Sequence, residues 1–138
     1  MRRKDEFISS SRVRVGFEKL PVYNASLDTL DTQLIQNFLD NRKNQASAKV
    51  TQDVLRSYSL VVEEHTELFP TYVGLLNFGK SPQFFLSEAM IIVSHFRGIE
   101  GRDAIASIDC EGTLLNQFQQ AHHFVLSVFQ SHFQLQEL

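Results

Sequence analysis

Tryptophan is absent from this chain, cysteine occurs once, proline three times, and nowhere do about eighteen apolar residues run together. Each shortage excludes something. The single thiol, Cys110, leaves no partner for an internal disulfide and fits a reducing cytoplasm. No basic neighbour flanks it to activate the sulfur, so it reads as an ordinary half-buried residue. The missing apolar run removes any membrane-spanning helix. The basic opening "MRRKDEFISSS" lacks the apolar stretch of a secretory signal.

Metal and catalytic signatures are equally scarce. The chain holds no Cys-x-x-Cys, no His-Glu-x-x-His, no Gly-x-Ser-x-Gly elbow and no convincing pair of carboxylates. His122 and His123 are adjacent, so on a helix they point about 100° apart. His132 lies nearly three turns further on, too far to share one ion with His122. His95 has no carboxylate partner that the sequence identifies. No catalytic residue and no metal ligand is therefore nominated.

What is present is a globular composition: 138 residues, 43% hydrophobic and 21% charged, with twelve phenylalanines. That is enough for one core. The net charge is −3 but unevenly spread. Residues 1–56 carry ten Lys and Arg against seven Asp and Glu, and residues 57–138 carry three against nine. The first part suits an anionic partner better than the second. Arg12, Arg14, Arg42, Lys43 and Arg56 are its candidates for phosphate contacts, although their scatter also fits an ordinary solvated surface.

Periodicity gives an α+β order of three N-terminal helices, a β-hairpin and one long C-terminal amphipathic helix, the succession of a winged helix. Residues 1–20 read as an arm or linker and 21–138 as a single domain. Within the arm, Val13, Val15 and Phe17 alternate as one face of an edge strand, with Arg12 and Arg14 on the other. Asp28 or Asp31 caps a first helix whose stripe is Leu30, Leu34, Ile35, Phe38 and Leu39, closed by Arg42 and Lys43. Thr51 caps a shorter helix carrying Val54, Leu55 and Tyr58. "EEHTELF" reads as a polar turn, and Thr71 caps a third helix. Ala89–Phe96 and "DAIASIDC" pair across Gly98 and Gly101. From Thr113 onward, Leu114, Leu115, Phe118, Ala121, His122, Val125, Val128, Phe129, His132 and Phe133 recur at helical spacing. The third helix has no Lys or Arg, so it is ill suited to reading bases as a winged helix would.

One stretch matches a chemical motif letter for letter. "GLLNFGKS", Gly74–Ser81, fits the phosphate-loop pattern G-x-x-x-x-G-K-[ST]. In that reading Gly79, Lys80 and Ser81 hold the phosphates, and Asp109, ending the apolar "AIASID", holds Mg²⁺. A phosphate loop needs a buried parallel strand before it and small or polar residues within it. Here Leu75, Leu76 and Phe78 are core-seeking, Pro70 would interrupt the strand, and neither strong strand candidate precedes the loop. The competing reading is a helix over Thr71–Phe78 that ends in Gly79 as its left-handed C-terminal residue, followed by Lys80 and Pro82. Ser81-Pro82 could itself open another helix.

Three segments carry a family resemblance: "LPVYNASLDTLDTQLIQNFLDNR", "FPTYVGLLNFGKSPQFFLSEAMIIVSHFRG" and "IDCEGTLLNQFQQAHHFV". In this order they resemble the middle segment of bacterial RecG-related ATP-dependent DNA helicases and transcriptional regulators with an AlbA-like, Schlafen-type N-terminal domain of the divergent AAA type. The resemblance covers roughly residues 20–130. It implies a DNA-binding module before the segment and a histidine-kinase-like ATP-binding region after it. ATP and Mg²⁺ would then belong to the full-length protein, with no cofactor in this chain, and Gly74–Lys80 would be scaffold. Expected partners are flanking domains of the same polypeptide and DNA, in a bacterial cytoplasm, with no membrane. The leading expectation is a non-catalytic scaffold or coupling domain. The alternatives are an ATP-binding fragment using "GLLNFGKS" and a weak nucleic-acid-binding module using the basic first part.

Overall fold

Asp31 starts the first α-helix by turning its carboxylate back onto the chain. Oδ1 accepts from the amides of Gln33 and Leu34, at 3.0 and 3.1 Å. These are two of the donors that a helix start leaves open. In the computed structural model, which describes residues 14–136, this helix α1 spans Thr32–Asp40 and turns Ile35 and Leu39 into the core. Asp28 sits instead in a 3₁₀ turn, Leu27–Thr29. Arg42 closes α1 through its side chain, donating from Nε to the Leu39 carbonyl at 3.1 Å. Helix α2 (Gln52–Ser57) is capped by Thr51, whose Oγ1 accepts from Val54 N at 3.3 Å, and it buries Leu55.

The expected polar turn after α2 is a hairpin. Strand β1 (Val61–Glu64) pairs antiparallel with β2 (Glu67–Pro70), Val61 opposite Pro70. His65 and Thr66 make the turn at φ of 50° and 70°. Two-residue hairpin turns want positive φ at both positions and normally advertise themselves with Asn-Gly. His-Thr carries no such signal, and half of this short β1 is glutamate.

Thr71 then caps α3 (Tyr72–Phe78), and Pro82 opens α4 (Pro82–Phe85) at its first helical position. Val22, Leu30, Ile35, Leu39, Leu55, Leu60, Val61 and Leu75 form the core. The segment before α1 is tied in by backbone bonds from Val22 N to Pro70 O (2.8 Å) and Asp31 N to Phe78 O (2.7 Å). No edge strand forms in the described part of "SRVRVGF". Residues 14–16 are irregular, and Phe17–Lys19 is a 3₁₀ turn that lays Phe17 on Tyr72, ring centroids 4.2 Å apart. Arg12 and Val13 lie outside the described residues.

The second half is a hairpin and a helix. Strands β3 (Ile91–Phe96) and β4 (Ala104–Cys110) pair antiparallel through a loop in which Gly98 and Gly101 both take positive φ. Helix α5 (Leu114–Gln136) packs across one face of this hairpin. Its screened residues are Gln117, Ala121, Phe124 and Val128, a single stripe. Cys110 closes the same face and is fully buried, not half-buried as expected. The architecture is α+β, with three N-terminal helices, the β3–β4 hairpin and the long helix in the expected order. The β1–β2 hairpin and α4 are inserted into it.

Two glutamines lock the halves together. Gln83 on α4 donates through Nε2 to the carbonyls of Ala89 (2.8 Å) and Gly112 (3.0 Å), and its Oε1 accepts from Gly112 N (2.8 Å). Gln117 on α5 donates to the same two carbonyls at 2.8 and 3.0 Å. Gln117 is 1% exposed, and a buried amide of that kind is tolerated only when bonded.

Candidate functional site

The stretch Gly74–Ser81 is helix α3 and the turn after it, and its amides point into the fold. Gly74 N donates to Thr71 Oγ1 (3.0 Å) and Leu75 N to Thr71 O (2.9 Å). Gly79 N donates to Leu75 O (2.8 Å) and Lys80 N to Thr29 O (2.9 Å). A phosphate cradle needs such donors converging on one open point. Both glycines have packing reasons. A Cβ on Gly74 would stand 2.2 Å from the Leu60 carbonyl oxygen, and one on Gly79 2.5 Å from that of Leu75.

Two expectations about this stretch need correction. Gly79 is not left-handed but extended, at φ −72° and ψ 144°. It bridges to Leu30 in extended form, and glycine is required there by the closeness of the Leu75 carbonyl oxygen and not by the sign of φ. A strand does precede the stretch, but β2 is one arm of an antiparallel hairpin, not the parallel strand a phosphate loop leaves from.

The remaining nucleotide candidates stand apart. Lys80 and Ser81 are exposed, and Ser81 makes no side-chain cap on α4. Asp109 lies opposite Ile92 on the outer face of the β3–β4 hairpin, exposed. No ion pair joins Lys80 to Asp109.

The basic candidates divide in two. Arg42 belongs to the fold: besides Leu39 O it donates to Ala46 O (3.3 Å) and to the Tyr58 hydroxyl, with its guanidinium 5.7 Å from the Tyr58 ring centre. Arg56 spans Asp53 (3.1 Å) and Glu63 (2.9 Å), so its charge is matched locally. Arg14 and Lys43 are exposed, and Arg12 lies outside the described residues. Among the described residues no group of three His, Cys, Asp or Glu gathers as a metal site. His122 and His123 are exposed, and the His122 ring stacks on Phe118, centroids 5.9 Å apart and 9° from parallel.

Among the described residues, titration is perturbed at two surface sites. The Ser47 hydroxyl, and next the Gln36 amide, hold the Asp40 carboxyl below its ordinary range. Tyr23 donates its hydroxyl to Glu64 at 2.6 Å, which raises the phenol, with burial and the Glu64 charge adding to the rise.

The recess that sequence reading missed is apolar. A groove of about 520 Å³ opens between α1, the end of α2, α3 and the start of α5. Leu34, Phe38, Val73 and Phe78 line it, with Asn37, Asn41, Asn77 and Asn116 among its polar residues. Phe38 is fixed there between Tyr58 and Phe78, each ring centroid 5.6 Å away. Its only sequence signal was Asn37 and Asn41 four apart beside Leu34 and Phe38 on one helix.

Leu115 lines the groove and also begins a second, outward stripe on α5. Phe118, Val125, Leu126, Phe129 and Phe133 continue that stripe, from 39% to 62% exposed. The outer face of the β3–β4 hairpin adds Ile92 (63%) and Phe96 (42%). An exposed apolar stripe of that length on α5 marks an interaction face. No family model, curated protein or solved structure matches this chain. Among the described residues no helix is long and apolar enough to cross a membrane.

Proposed function

We propose that this chain is a non-catalytic coupling domain of a RecG-related, DNA-associated regulator, joining a DNA-binding module to a nucleotide-binding one. The observation that carries the reading is the inward direction of the Gly74–Lys80 amides, each bonded inside the fold. The motif that most resembles an ATP site acts as a core helix and a bridge to Thr29. The exposed groove supplies a surface for neighbouring modules.

The test is an amide chemical-shift titration with Mg²⁺-ATP. The expected result is no saturable shift at Gly74–Ser81 or Asp109 at millimolar nucleotide. Saturable shifts there that vanish in Lys80→Ala would replace this reading with a nucleotide site. Binding to duplex DNA that weakens steeply with salt would replace it with a nucleic-acid module.

A further inference from the structure

Helix α5 has two apolar stripes, and the hairpin covers one. Taking about 100° per residue, the covered stripe (Gln117, Ala121, Phe124, Val128) and the outward one (Leu115, Phe118, His122, Val125, Phe129, Phe133) lie about 110–120° apart. Asn116, Gln119, Gln120, His123, Ser127 and Gln130 fill the remaining arc. The outward stripe is as well defined as the covered one, and from Phe118 onward no other described element packs on it.

Charge narrows what can cover it. The 23 residues of α5 contain no Asp, Glu, Lys or Arg. A charged partner helix would find nothing to match, and a lipid surface would find none of the basic residues by which amphipathic helices hold anionic headgroups. A second copy of α5 brings the same length, the same stripe and the same neutral glutamine flanks, with no like charges to repel it. The area is also adequate. The six apolar residues from Leu115 to Phe133 expose on the order of 600 Å², and the flanking rim brings this near the roughly 800 Å² per partner of a stable interface.

Orientation follows from the spacing. A twofold axis between Val125 and Leu126 sets Val125 against Leu126, His122 against Phe129, and Phe118 against Phe133 of the second copy. Every outward aromatic from Phe118 to Phe133 then meets an aromatic ring. The antiparallel arrangement also opposes the two helix dipoles favourably, whereas a parallel one would place His122 on His122.

We propose that two copies of this chain pair through the outward stripe of α5, antiparallel, about a twofold axis between Val125 and Leu126. The test is sedimentation of the 138-residue chain over a concentration series, beside Leu126→Glu and Phe129→Glu. Both side chains are exposed in the single chain, so these variants should keep its circular dichroism and melting behaviour. The wild type should run as a dimer, and each variant should associate roughly thirtyfold more weakly or worse. Mixing Phe118→Cys with Phe133→Cys should give the mixed disulfide in preference to either homodimer. A wild type that stays monomeric at about 100 μM, far above the micromolar range of specific pairs, overturns the proposal and assigns the stripe to another molecule. A dimer indifferent to both glutamates places the interface elsewhere, and Phe118→Cys homodimers overturn the antiparallel order.

Discussion

Gln83 and Gln117 donate to the same two carbonyl oxygens, those of Ala89 and Gly112, from opposite sides of the joint between the α-helical core and the hairpin–helix unit. Each carbonyl therefore uses both lone pairs on side-chain amides. Truncating Gln117 leaves each carbonyl with only its Gln83 donor and removes two hydrogen bonds, worth about 0.5–1.5 kcal/mol apiece. Chemical denaturation should show that loss in Gln117→Ala. The pair Gln83→Ala/Gln117→Ala should depart from additivity by about 0.5 kcal/mol or more, because the two residues share partners. Strict additivity would mean the clamp does not act as a unit.

Gly74 separates the structural and chemical readings of "GLLNFGKS". Gly74→Ala forces a Cβ to within 2.2 Å of the Leu60 carbonyl oxygen and should destabilise by at least about 2 kcal/mol. Lys80→Ala, at an exposed position, should stay within about 0.5 kcal/mol of wild type. Thermal melts of the two variants decide it. Equal, small effects would mean the α3–Leu60 contact is looser than described.

Asp40 offers a pH test. Its carboxyl is held low by Ser47 and then Gln36, so its contribution to stability is present above the unfolded pKa and lost as pH falls through the folded one. Ser47→Ala should move the Asp40 carboxyl-carbon titration upward, toward the ordinary value of about 3.9. Tyr23 runs the other way: its raised phenol stabilises below the unfolded pKa and ceases to as pH rises through the folded one. Tyr23→Phe should erase that alkaline dependence. An unmoved Asp40 titration would remove Ser47 as the cause.

Cys110 should be inert in the native state. Its side chain is fully buried beneath α5, so a thiol reagent can reach it only when the hairpin–helix unit opens. Reaction should be slow in buffer and complete in denaturant. Fast native labelling would show that α5 leaves the hairpin readily.

Much of this was legible where one rule dominated. Asp31, Thr51 and Thr71 cap as their types demand, and the helical spacing from Leu114 to Phe133 marked α5, although the face it packs runs through Gln117, Ala121, Phe124 and Val128. The β1–β2 hairpin was hidden because His65 and Thr66 adopt positive φ without the usual residues. Gly79 misled because glycine serves both left-handed turns and close approaches, and only its extended backbone beside the Leu75 carbonyl tells them apart. The groove was invisible for a plainer reason: Leu34, Val73 and Asn116 lie on three different helices, and local patterns do not say which helices meet.

The neutrality of α5 bears on more than pairing. A helix without Asp, Glu, Lys or Arg has no ion pairs between successive turns and no charged residue answering its dipole. At about 34 Å it outruns the roughly 20 Å of β3, and beyond Val128 none of its residues with described burial is screened from solvent. From Phe129 onward its helical form draws on propagation from the packed turns. The end of α5 is thus the part of the fold whose helicity should respond when something occupies the outward stripe.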